Sequence, residues 1–145
     1  CGPQPPNVRL LPFAPQREIL SRCALAVHHG GFSSTMECLS AGAPQLVVPL
    51  TGDQGSHADA VTRHGLGSVL RHALGQGAFG VPLTDPARLD PQQVLTEARA
   101  LAADPAVAGR VADFRRRVDE LPGPPEFVAF VEELAGQAPR ADRTR

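Results

Sequence analysis

Between residues 27 and 54 the chain reads VHHGGFSSTMECLSAGAPQLVVPLTGDQ. His28 and His29 can donate, accept or take up a proton near neutral pH. Gly30 and Gly31 let a backbone turn tightly and come close to a ligand. Ser33, Ser34 and Thr35 follow, where an apolar run gives way to helical spacing. A helix opening there offers free N–H groups and the positive end of its dipole, the setting in which phosphate commonly binds. Glu37 adds a carboxylate able to accept two hydroxyl bonds. Asp53 and Gln54 bring a second polar pair after the next apolar run. A plain local reading fits the same residues. Ser34-Thr35-Met36-Glu37 matches a capping box, with Ser34 as N-cap and Glu37 reaching back, and a histidine at a strand end can be a satisfied core residue. On this segment alone, the anion site and the capped helix stand level.

The elements that would position these groups follow from patterning. Residues 7–13, NVRLLPF, read as a buried strand, and PQREILSR as a short helix with Pro15 at its first turn. ALAVHH is a second strand, and SSTMECLSAG a helix closed by Gly42. PQLVVPL is a third strand. GDQGSHADAVTRHG is a helix with Ala58 and Val61 inward, stopped by Gly65, and GSVLRH is a fourth, weaker strand. Strands alternating with helices across short loops predict an α/β domain with a parallel sheet. Residues 75–89, GQGAFGVPLTDPARL, read as a loop. Asp90-Pro91 and Asp104-Pro105 each pair an N-cap with a proline at the first helical position. The first helix carries Val94, Leu95, Ala98, Leu101 and Ala102 at helical spacing, and the second Val107, Val111, Phe114, Val118 and Leu121. PGPP breaks the chain before a last helix with Phe127, Val131 and Leu134. Residues 136–145 read as a flexible polar tail.

Length and composition bound the function. The 145 residues suffice for one domain with a modest core. A net charge of −1 gives no broad electrostatic case for nucleic acid or an acidic membrane. No apolar run reaches membrane-spanning length and no signal peptide is visible. Cys1, Cys23 and Cys38 are odd in number and lack CxxC spacing, which argues against a disulfide framework or zinc site and fits a reducing cytoplasm. His57, His64 and His72 read as helix-surface or helix-end residues, with no metal constellation.

One ordered series changes the weight of the central segment. Phe13-Ala14-Pro15-Gln16, His29-x-Gly31, Ser34-x-x-Glu37, Gly42-x-Pro44, Pro49 and Asp53-Gln54 occur in that order. The series resembles the donor-binding signature of nucleotide-sugar-dependent glycosyltransferases built from two Rossmann-like domains, in particular the bacterial macrolide-type enzymes and the plant and animal UDP-glycosyltransferases. The resemblance is dense over residues 7–70 and loose over the C-terminal helices. It implies a partial Rossmann-like sheet with flanking helices, followed by C-terminal helices. Residues 1–135 would be the C-terminal donor-binding domain, lacking its first strands.

The resemblance also implies roles. Phe13 would stack on the base, the Ala14 backbone would meet the base edge, and Gln16 would lie near the ribose. His29 would hydrogen-bond a diphosphate oxygen beside Gly31. Ser34, with Ser33 and the Thr35 N–H, would complete the phosphate cradle. Glu37 would grip the ribose 2′- and 3′-hydroxyls. Because a deoxyribose donor leaves one oxygen of such a grip unpaired, a UDP-sugar is expected over a dTDP-sugar. Asp53 and Gln54 would read the sugar hydroxyls. No cofactor and no metal are expected, the nucleoside diphosphate sugar being the donor substrate. Ser33 and His57 depart from the family pattern, which often has Gly or Asn at the first position and commonly Asn at the second.

The catalytic base of this family lies in an N-terminal acceptor domain. By this resemblance the chain, which has no initiator methionine, would start after that domain and after the donor domain's first strands. No residue here inherits the base's role, so the chain alone is expected to be inactive. Its partners would be its own N-terminal domain or a separate subunit, and a small, lipophilic acceptor. The parent reaction would move a hexosyl group to an acceptor hydroxyl with inversion. A non-catalytic nucleotide-sugar binding module and a sugar-nucleotide epimerase stand as alternatives; the Asp53-Gln54 pair favours a transferase over the epimerase.

Overall fold

The computed structural model describes residues 3–70, 74–76 and 82–137. Three short strands form its centre. They are β1 (Ala26–His28), β2 (Gln45–Val47) and β3 (Gly67–Val69), parallel and in the order β1-β2-β3. Val27 lies opposite Leu46, and Leu46 opposite Ser68. Parallel neighbours need a crossover. α2 (Phe32–Ala41) supplies the first and α3 (Gln54–Arg63) the second. α2 stops where Gly42 takes the left-handed conformation, φ 76°, as the sequence predicts.

β2 is the buried middle strand, so its side chains are enclosed on both faces. Leu46 and Val47 lie in one core with Leu39, Ala58, Val61, Leu66, Val69 and Leu70. Two later helices close that core. Leu101 comes from α4 (Pro91–Ala102), and Val107 and Val111 from α5 (Pro105–Asp119). Burying each of the larger aliphatic side chains contributes about 1.5–3 kcal/mol. A smaller cluster of Leu20, Cys38, Ala41 and Ala43 seats α1 (Gln16–Leu20) against α2. Both predicted Asp-Pro starts hold. Asp90 Oδ1 accepts from the Gln92 N–H at 2.9 Å, and Asp104 Oδ1 from the Ala106 N–H at 2.8 Å.

Four expectations need correction. Residues 7–13 form no strand: Leu10 and Leu11 are exposed, and Phe13 is 83% exposed. A strand exists only when another pairs with it, and nothing among the described residues does. The predicted 75–89 loop contains β5 (Pro82–Thr84), paired antiparallel with β4 (Leu74–Gln76), and a 3-10 turn at Pro86–Arg88. Pro82 is tolerated at a strand start, and the Thr84 N–H donates to the Pro49 carbonyl at 2.5 Å, anchoring the hairpin beyond β2. The expected fourth strand ends at Val69 as β3; His72, within its predicted span, lies outside the described residues, as does Cys1. Finally, α6 (Pro124–Gln137) runs two residues into the expected tail, the rest of which lies outside the described residues. Phe127, Val131 and Leu134 do share its apolar face, but that face is exposed. No helix among the described residues is long and apolar enough to cross a membrane.

A polar pair crosses the sheet. The Gly30 N–H donates to His28 Nδ1 at 3.0 Å, so Nδ1 is the bare nitrogen. His28 Nε2 then carries the hydrogen and donates to Gln45 Oε1 at 2.8 Å. Burial holds His28 below its ordinary pKa of 6.5, against the raising effect of the Gln45 bond. The folded state thus takes up a proton at His28 less readily than the unfolded chain. That contribution to stability is complete above 6.5 and is lost as pH falls below it. Unfolding midpoints should therefore drop between about pH 7.5 and 5, with a shallower slope in His28→Gln; equal slopes would contradict the assignment.

Two glycines give a paired test of packing. A Cβ at Gly67 would collide with the Gln45 carbonyl across the β2–β3 ladder, whereas one at Gly109 in α5 meets open space. Gly67→Ala should lose about 3 kcal/mol or fail to fold. Gly109→Ala should gain about 0.5–1 kcal/mol. Denaturant titration of both variants reads the contrast.

Candidate functional site

The site lies where β1 and β2 end and α2 and α3 begin, the end of a parallel sheet where ligands gather. Gly30 is wedged between β2 and α3. It has φ +89°, and a Cβ there would stand 2.7 Å from Val47 Cγ1 and 3.1 Å from the Gln54 carbonyl oxygen. Only glycine fits both the conformation and the space. The exposed His29 ring folds over Gly31, whose Cβ, if present, would be 2.6 Å from His29 Nε2.

α2 begins at Phe32, with Gly31 as N-cap and no side-chain cap. The capping box, the alternative local reading of these residues, is therefore absent. Ser34 is the third helical residue, and Glu37 lies one and a half turns in, too far along to reach back to the cap. The Thr35 N–H donates to the Gly31 carbonyl at 3.0 Å. That bond removes Thr35 N–H from the expected phosphate cradle. The amides of Phe32, Ser33 and Ser34 precede the first intrahelical bond. Ser33 is exposed, Ser34 half-buried, and Thr35 buried with Oγ1 unpartnered.

Glu37 faces a cleft of about 420 Å³ that Phe13, Ala14, Gln16 and Arg17 also line. The predicted base, ribose-edge and carboxylate residues are thus brought together from two separate segments. Glu37 Oε2 is buried and has no hydrogen-bond partner. Behind it, burial pushes the Cys38 thiol up to about 11, with the Glu37 carboxylate adding to the effect. An unsatisfied buried acceptor costs about 1–3 kcal/mol.

At the other end, Asp53 occupies the N-cap position of α3, but its carboxylate makes no cap bond and is exposed. Gln54 Oε1 accepts the Leu50 and Thr51 N–H groups at 2.9 and 3.0 Å. Its carbonyl end therefore shapes the loop, and its NH₂ end is the part left for a ligand. His57, expected on the helix surface, is instead a site neighbour. Nδ1 bonds the Gly30 carbonyl at 2.8 Å, Nε2 lies 4.0 Å from Asp53 Oδ2, and the ring packs 6.0 Å from Phe32. Its position four residues after Asp53 was the readable signal, since such pairs share a helix face. The Gly30 contact was not readable, being 27 residues away in sequence. The Phe13–Glu37 cleft and the Gly30–Asp53 region meet through α2, which carries residues of both.

The sequence profile described as the erythromycin biosynthesis protein CIII-like C-terminal domain matches residues 2–134. Elloramycin glycosyltransferase ElmGT of Streptomyces olivaceus is 38% identical over 118 residues, 76% of this chain and 29% of that protein. The structure of CalG4, the calicheamicin glycosyltransferase, superposes with a TM-score of 0.79 and 31% identity, covering 95% of this chain and 33% of that one. Glycosyltransferase VinC in complex with dTDP gives 0.77 and 28%, covering 94% and 31%. The chain thus spans about a third or less of each, and its α/β arrangement is that of the glycosyltransferase part it matches. By profile, identity and fold together, the chain belongs to the erythromycin biosynthesis protein CIII-like C-terminal domain family.

Proposed function

We propose that this chain is the donor-binding part of an inverting glycosyltransferase that moves a hexosyl group from a nucleoside diphosphate to a hydroxyl of a small, lipophilic acceptor. The observation that carries the reading is the cleft that Phe13, Ala14, Gln16 and the carboxylate residue Glu37 line together from two separate segments. In this reading the base stacks on Phe13 beside Ala14, Gln16 borders the pentose, and Glu37 accepts a pentose hydroxyl. The diphosphate lies at the Phe32, Ser33 and Ser34 amides next to His29 and Gly31, where the helix dipole favours negative charge. Asp53 and the NH₂ of Gln54 face the sugar.

The reaction assigned to the whole protein is a direct displacement. The acceptor oxygen bonds to the anomeric carbon as the bond to the diphosphate oxygen breaks. That electron pair leaves with the diphosphate, whose growing charge the α2 amides and His29 stabilise. The acceptor proton goes to a base outside this group of residues. The domain assignment, residues 1–135 as donor-binding domain with the acceptor domain elsewhere, is part of the same proposal.

In this reading the expected preference for UDP is not required. A diol grip needs both carboxylate oxygens within reach, and Oε2 is buried. A single 3′-hydroxyl, present in ribose and deoxyribose alike, needs only the other oxygen. VinC, similar over 94% of this chain, was solved with dTDP. We therefore assign the site a thymidine or uridine diphosphate sugar without sharp discrimination between the two.

Calorimetric titration tests this. dTDP and UDP should bind within about tenfold of each other. Glu37→Ala should weaken both by about fivefold to a hundredfold while leaving the unfolding midpoint level or raised, because it removes an unsatisfied group. Unchanged affinity in that variant would overturn the reading. The purified chain should bind these nucleotides yet release no measurable hexose to acceptors; turnover like that of a complete enzyme would refute the placement of the base elsewhere.

A further inference from the structure

We propose that His57 is a positioning residue that locks the Gly30 turn onto the first turn of α3, so that the two ends of the site move as one body. Both backbone polar groups of Gly30 are held by histidine rings from different elements. Its N–H donates to His28 Nδ1 on β1 at 3.0 Å, and its carbonyl faces His57 Nδ1 on α3 at 2.8 Å. A ring nitrogen facing a carbonyl oxygen must carry its hydrogen. His57 is therefore the Nδ1–H form, opposite to His28, and its Nε2 is the nitrogen turned towards Asp53.

The surroundings leave His57 little freedom. Its side chain is 25% exposed and packs on Phe32, the first residue of α2. The Gln54 backbone carbonyl stands close enough to Gly30 that an added Cβ would meet it at 3.1 Å, so the α3 start borders the turn with backbone as well as ring. Nothing else joins the turn before α2 to the first turn of α3 with a directional bond among the interactions of the described residues. Without the ring bond, the Gly30 carbonyl is an unpaired acceptor on a buried residue, and the turn is free to rotate away from α3. The α2 amides and Asp53 would then lose their fixed spacing. That functional consequence rests on the donor-site reading; the lock itself does not.

Side-chain geometry supplies the test. Asn carries its amide nitrogen on Cγ, as His carries Nδ1, and can repeat the bond to Gly30. Gln carries it one atom further out, at the place of Nε2, and cannot. His57→Ala and His57→Gln should speed amide exchange selectively at Gly30 to Ser34, relative to α5, and weaken binding of dTDP-glucose by about fivefold or more. His57→Asn should restore both to within about twofold of the parent chain. The parent should also show a His57 Nδ1–H signal in ¹⁵N imidazole spectra. The proposal is overturned if His57→Ala leaves exchange at Gly30 to Ser34 unchanged, or if Gln rescues as well as Asn. Should His57→Ala fail to fold, the Gln and Asn variants decide alone. Should the parent bind neither dTDP nor dTDP-glucose, the donor reading falls, while amide exchange still decides the lock.

Discussion

Gly30 has room for nothing larger than a hydrogen. The turn after β1 runs between the Val47 side chain and the Gln54 backbone, at a φ that an L side chain rarely adopts. This close approach sets where α2 starts, because the chain must leave the turn through Gly31 and Phe32. It also sets how near α3 lies, since the α3 start forms the opposite wall. The parallel ladder of β1 and β2 fixes the two strand ends, but the wedge at Gly30 fixes the loops that leave them. Both polar groups of Gly30 are satisfied by imidazole rings, so the turn is held by direction as well as by shape. The proposed binding of a diphosphate at the start of α2 presupposes that geometry.

The helices divide by how they begin. α4 and α5, which close the core, start with aspartate side chains bonded to backbone amides. α2 and α3, which start at the site, have no side-chain cap. A cap is worth about 1 kcal/mol. The sequence thus supplies caps on the scaffold helices and withholds them where free amides and the dipole can act on a ligand. Glu37 follows the same logic, since a buried carboxylate oxygen without a partner lowers stability in the absence of a ligand. Apolar burial is concentrated around Leu46, Val47 and Val111, while α2 carries two unsatisfied buried polar atoms, Thr35 Oγ1 and Glu37 Oε2.

Legibility in the sequence followed the range of the deciding interaction. Gly42, Asp90 and Asp104 act on neighbours within a few residues, and their roles held. Ala58 and Val61 were readable from helical period because one face of α3 meets the core. The strand expected at residues 7–13 failed because its apolar pattern describes what a partner would cover, and among the described residues no strand lies beside it. The capping box failed because Gly31, three residues ahead of Ser34, is a better entry into the helix once Gly30 has turned the chain. The β4–β5 hairpin was hidden by its Gly and Pro content, and its anchor at the Pro49 carbonyl is a tertiary contact. In the candidate site, motif order named Phe13, Ala14, Gln16 and Glu37, which line one cleft. Which atom of each residue is available was not legible, because that depends on bonds such as Gln54 Oε1 to two loop amides.

Those bonds give the proposed site a direction. At the nucleoside end, Glu37 presents an acceptor, so a group there must donate; a pentose hydroxyl does, and one suffices. In the middle, the α2 amides present only donors, which suits the diphosphate and rejects neutral groups that cannot accept. At the far end, Gln54 presents donors because its oxygen is engaged, while Asp53 beside it presents acceptors. A sugar hydroxyl can do both, so hydroxyl positions rather than hydroxyl number would decide which hexose fits. A rigid link between Gly30 and α3 matters most for that selection. Donor and acceptor must keep their separation if a hydroxyl displaced by one ring position is to find only one of them.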